Sequence, residues 1–117
     1  MASPLTAPTA LELAELGLDA QVGDEPWVRT VTFDAAGVAS VELTWDEIAG
    51  SVHVVWRDAA GTVIVEITRE SVDTVSVSSH HDGFLVAIAC SSEQLGGAFT
   101  ASITSTGVQI KDTLLRR

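Results

Sequence analysis

The chain has 117 residues, a formal charge of −10 from six basic and sixteen acidic side chains, and a single cysteine. That length suits one domain with its own core. The lone Cys90 excludes an internal disulfide, and the acidic surplus disfavours nucleic acid and anionic lipid, which are held by Lys and Arg.

No basic region precedes a long apolar block at the start of the chain, and no apolar run approaches the roughly 18 residues needed to cross a bilayer. The expectation is a cytoplasmic protein with no membrane segment, and Cys90, inside an apolar run, reads as a small core residue. Residues 1–8, with Pro4 and Pro8 among small side chains, read as a flexible leader to a single domain over 9–117.

Thr9 and Glu12 match a capping box, in which hydroxyl and carboxylate each satisfy a backbone N–H at a helix start. A helix over about 10–17 follows, closed by Gly17 in the left-handed conformation with Leu18 folding back. Leu13 and Leu16 share one face and Leu11 and Leu18 the next; two turns are marginal alone, so these leucines need a surface to pack on. Residues 19–26, DAQVGDEP, read as a linker ending at Pro26.

From Trp27 to Arg69 four β-type runs succeed one another, WVRTVTF, VASVELTW, SVHVVW and TVIVEITR. Asp34-Ala35-Ala36-Gly37 recurs as Asp58-Ala59-Ala60-Gly61, and Val41-Glu42-Leu43-Thr44 recurs as Val65-Glu66-Ile67-Thr68. Gly83 and Gly107 extend the rhythm, so reversals are expected near Gly37, Gly61, Gly83 and Gly107 along one continuous meander. Matching Trp27, Val31 and Phe33 to Val41, Leu43 and Trp45 requires a three-residue tip with Gly37 left-handed. Matching Val52, Val54 and Trp56 to Val63, Val65 and Ile67 requires an even-length tip, which sets His53 opposite Glu66. Val55 and Ile64, on the other face, point alternatively to burial of both faces there.

The later runs are Thr74–Ser79, Phe84–Cys90, Ala98–Ser105 and Val108–Ile110. The second is apolar on both faces and reads as a central strand covered on each side. The third alternates Phe99, Ala101 and Ile103 with hydroxyl residues and reads as a solvent-facing or edge strand. Lys111–Arg117 reads as a terminal turn that sets Leu114 and Leu115 on the body. The fold class is α+β, mainly β: a short N-terminal helix followed by a seven- or eight-strand antiparallel meander over about 27–110. It either closes into a small barrel or curves strongly around the helix.

No catalytic, metal or cofactor motif rises above background. His53, between Glu66 and Thr44 with Glu42 one diagonal step away, suits a pH-sensitive contact, a general acid–base pair, or a solvated face with favourable charge pairs. His80, His81 and Asp82 read as a hairpin tip rather than a metal site, because adjacent turn residues point apart. Ser91, Ser92 and Glu93 lack the spacing of a nucleophile elbow or a phosphate loop. Trp27, Trp45 and Trp56 line one face of the first three runs, as core or as the wall of an apolar cavity.

Three functional expectations follow. The first is a non-catalytic module that presents Glu42, His53, Glu66 and Thr44 to a basic protein or peptide, as a toxin inhibitor or immunity-type protein would. The second is a small barrel for an apolar ligand, lined by Trp27, Trp45 and Trp56, with His53 available for acid–base chemistry. The third is a self-assembling homo-oligomeric subunit with an open sheet edge.

Overall fold

A computed structural model describes residues 5–35, 37–80, 82–91 and 96–114. After α1 (Ala10–Glu15) come β1 (Gln21–Val22), β2 (Val28–Ala35), β3 (Ala39–Asp46), β4 (Ser51–Asp58) and β5 (Val63–Arg69). Then follow β6 (Val72–His80), β7 (Gly83–Ser91), β8 (Gly96–Thr104) and β9 (Gly107–Leu114). All pairings between strands are antiparallel. The strands form two sheets, in the orders β1-β2-β3-β4-β5 and β6-β7-β8-β9.

The helix forms as its sequence requires. The Thr9 hydroxyl accepts from the Glu12 amide at 3.1 Å, and the Glu12 carboxylate accepts from the Thr9 amide at 2.9 Å. At the other end Gly17 takes a φ of 78°, and the amides of Gly17 and Leu18 reach the carbonyls of Ala14 and Leu13. Those bonds satisfy carbonyls that a helix end otherwise leaves open. Leu13 is buried, Leu16 and Leu18 are half-buried, and Leu11 stands 71% exposed. Packing therefore uses one leucine fully rather than the whole set.

The expected single meander is broken once. β5 and β6 follow each other directly but do not pair. Between them Ser71 adopts a φ of 57°, and the Val72 amide bonds the Gly50 carbonyl at 2.9 Å. A non-glycine residue in the left-handed region redirects the chain sharply, so β6 starts beside the β3–β4 turn and opens a second sheet. The strands do not close a barrel, nor does one curved sheet wrap the helix. Two sheets with one apolar face each cover one another, the two-layer solution.

The core confirms that packing. Val31, Phe33, Val41, Leu43, Trp45, Val52 and Val54 from the first sheet share one buried cluster with Val75, Val86, Ile88, Phe99, Ala101 and Ile103 from the second. β2 lies against β8, and the rings of Phe33 and Phe84 meet with centroids 5.5 Å apart.

Several expectations change in detail. The first hairpin has the expected register, with Phe33 opposite Val41, Val31 opposite Leu43, three residues at the tip and Gly37 at a φ of 79°. The second pairs Trp56 with Val65 and Val54 with Ile67, two residues further than expected: a bulge between Trp56 and Arg57 takes up one residue, and a five-residue tip between Arg57 and Val63 in place of an even-length one takes up the other. The linker contributes β1, where Gln21 and Val22 pair with Thr30 and Arg29. Part of the leader is structural: Leu5 is buried in the core, and Thr6 makes a parallel bridge to Thr74. Residues 1–4 lie outside the described residues. β7 is central but covered on one face, with Val86 and Ile88 buried and Ala89 exposed. β8 is flanked by β7 and β9 and is not an edge. Lys111–Leu114 continue β9 instead of turning back; the last three residues lie outside the described residues.

Candidate functional site

The outer face of the first sheet, turned away from β6–β9, collects the charged residues singled out by the sequence. Strand alternation places Thr30 and Thr32, Glu42 and Thr44, His53 with Val55 and Arg57, and Glu66 with Thr68 on it. One cross-strand row runs Gln21, Thr30, Thr44, His53, Thr68. The next runs Thr32, Glu42, Val55, Glu66. In the first row the Thr30 and Thr44 hydroxyls share a hydrogen bond of 2.9 Å.

His53 does not stand opposite Glu66. The two-residue shift puts Thr68 opposite His53 and Val55 opposite Glu66. The imidazole nevertheless reaches the carboxylate along the diagonal, Nε2 to Oε2 at 2.7 Å, with the two side chains 38% and 57% exposed. A second diagonal pair mirrors it across β4, where Arg57 lies 3.8 Å from Glu42. Glu42, Glu66, Thr44 and His53 are thus brought onto one face as expected, with both glutamates partnered. Sequence reasoning missed Arg57 as a member of the group; its place one diagonal step from Glu42 follows from the β3–β4 register alone.

Val55 sits between these pairs. It is 3% exposed, yet it stands outside the contiguous core cluster. Its cross-strand neighbours are Glu42 and Glu66, and its neighbours along β4 on the same face are His53 and Arg57. The alternative of burial on both faces therefore holds for Val55 but not for Ile64, which is exposed.

Other acidic groups on this sheet are spent locally. The Asp34 carboxylate accepts from Gly37, that of Asp46 from Ile48 and Ala49, and that of Asp58 from Ala60 and Thr62. Such short-range bonds satisfy turn amides, the ordinary use of aspartate at reversals.

Among the described residues the three tryptophans stand in different settings. Trp45 is buried in the core, and its indole N–H donates to Glu47 at 3.4 Å. Trp56 packs against the cluster with a buried Nε1 that has no partner among the described residues. Trp27 is half-buried in the turn before β2. One cleft of about 280 Å³ lies between the N-terminal segment and β6, and another of about 370 Å³ at the β8–β9 tip. Neither is lined by tryptophan. Without a closed barrel, the apolar-ligand reading loses the interior it relied on.

His80 ends β6 at its reversal and Asp82 follows; the Asp82 carboxylate accepts from the backbone and hydroxyl of Ser105 in the neighbouring tip. His81 lies outside the described residues, as do residues 92–95. Among the described residues no group of three potential metal ligands comes together.

Comparison with known proteins adds one likeness of fold. No protein-family model matches the chain, and no curated protein matches it. Among solved structures, a chain of the contact-dependent growth inhibition toxin–immunity protein complex from Klebsiella pneumoniae 342 superposes with a TM-score of 0.78. The match covers 97% of this chain and 100% of that one at 14% identity. At that identity the likeness is one of fold.

Proposed function

We propose that this protein is a non-catalytic inhibitor of the immunity type, which holds a basic protein toxin on the outer face of its five-stranded sheet. The observation that carries this reading is the end-to-end correspondence of fold with a chain from a toxin–immunity complex. A shared fold alone leaves function open, and the formal charge of −10 supplies the second support. An acidic protein attracts a cationic partner over distance and speeds encounter with it. Glu42 and Glu66 offer carboxylates to such a partner on a face that is already ordered, which lowers the ordering cost of binding.

The test is co-expression with the product of the neighbouring gene. Restored growth of cells poisoned by that product, with an association rate that falls as salt rises, is the expected result. Unchanged toxicity, or a complex indifferent to salt, overturns the reading.

A further inference from the structure

Val55 occupies a position that its strand would normally give to a polar residue. Val52 and Val54 turn inward to the core, whereas Val55 shares the outer face with His53 and Arg57. It is nonetheless buried, and what lies around it on that face is four charged or titratable side chains. Glu42 leans to Arg57 on one side and Glu66 to His53 on the other. These pairs are partly open to solvent, and exposed ion pairs contribute little to stability, so they open at small cost. Under them is an apolar group, and the glutamates released by opening are free to take new cations.

We infer that Val55 is a concealed anchor at the centre of the partner-binding face, and that Arg57 and His53 hold places which cationic side chains of the partner take in the complex. This rests on the function proposed above and names the chemistry that the face selects. Glu42 and Glu66 lie on the strands either side of β4, hence about 10 Å apart. The matching partner is a basic protein with an extended segment in which an apolar side chain lies between two arginines or lysines. Binding centres of this kind join a desolvated apolar contact to a surrounding ring of polar ones.

Arg57 is then a competitor built into the face. Its removal frees Glu42 and tightens binding, the reverse of what loss of a contact residue does. The probe is the synthetic peptide Gly-Arg-Thr-Leu-Thr-Arg-Gly, titrated into isotope-labelled protein by NMR. Shifts centred on Glu42, Val55 and Glu66 are expected. Arg57→Gln should bind the peptide about 2- to 5-fold tighter, and the double variant Glu42→Gln with Glu66→Gln about 10-fold weaker or worse. Val55→Thr, close to valine in shape and checked for native fold by its amide spectrum, should also weaken it, as should alanine for the peptide's leucine. No binding, shifts centred on β6–β9, or weaker binding by Arg57→Gln overturns the inference.

The two readings fail separately. If wild-type protein and all three variants rescue growth equally, the immunity reading stands and this anchor falls. If wild type fails to rescue but the peptide behaves as described, the immunity reading falls and the face remains a receptor for basic segments.

Discussion

His53 is bonded to a residue it does not face: Thr68 stands opposite it on β5, while Nε2 meets the Glu66 carboxylate 2.7 Å away along the diagonal. Both side chains are more than a third exposed, so solvent and salt screen the pair. A double-mutant cycle of His53→Ala and Glu66→Ala, followed by urea unfolding, should give a coupling of about 0.2–1 kcal/mol that shrinks in 1 M salt. A coupling well above that, or one unaffected by salt, would mean the pair is far better shielded than its exposure indicates.

Adjacent valines on β4 should respond in opposite ways to a charge. Val54 lies inside the core cluster, and Val54→Lys would bury an ammonium without a partner, which should prevent folding. Val55→Lys should fold with a loss of roughly 1 kcal/mol or less, since the new ammonium can reach water and lies beside Glu42 and Glu66. Circular dichroism melts of the two variants make the comparison. Equal loss of fold in both would show that the outer face around Val55 is not accessible.

The two sheets should be energetically joined at Phe33 and Phe84, whose rings meet at an interplanar angle of 54°. Phe33→Ala should cost about 3–5 kcal/mol, the range for an aromatic removed from a packed core. A cycle with Phe84→Ala should show a coupling of about 0.5–1.5 kcal/mol. Strict additivity in denaturant unfolding would separate the sheets.

Two glycines at reversals should differ in their tolerance of a methyl group. At Gly37 nothing lies near an added Cβ, so Gly37→Ala meets only the cost of its φ of 79°, about 1–2 kcal/mol. At Gly83 the added Cβ would land on the backbone carbonyl of Ile103, and the β7–β8 ladder has to shift. Gly83→Ala should therefore be the more damaging of the two in thermal melts, and the reverse order would place β8 further from β7 than the structure has it.

Leu5 should behave as a core residue despite its place near the start of the chain. It is 4% exposed, its amide bonds the Glu47 carbonyl, and Thr6 beside it pairs with the edge of β6. Leu5→Asp forfeits about 1.5–3 kcal/mol of apolar burial and adds a charge, and freeing the segment exposes the β6 edge to other chains. A lowered melting temperature with a rise in soluble aggregates by light scattering is the expected outcome. Wild-type stability in this variant would return Leu5 to a free leader.

Local chemistry decided much of this molecule without reference to anything distant. The Thr9–Glu12 box and Gly17 bound α1, period-two alternation marks the inward residues of β2, β3 and β8, and the three-residue tip at Gly37 follows from matching apolar faces across it. These are interactions within a few residues or between strands joined by one turn, and their geometry is contained in side-chain order. The break after β5 had no such signal, because Glu70 and Ser71 read as any short polar turn, and whether β6 pairs with β5 or crosses to a second layer depends on which apolar faces can cover each other. The same holds for the site. Glu42, Thr44, His53 and Glu66 were legible as one face from alternation, but a one-residue bulge near Arg57 and a tip one residue longer than expected moved the β4–β5 register by two and decided how they pair. That shift set Glu66 beside Val55 and turned the His53–Glu66 contact onto a diagonal, next to the Arg57–Glu42 pair that the β3–β4 register had already placed.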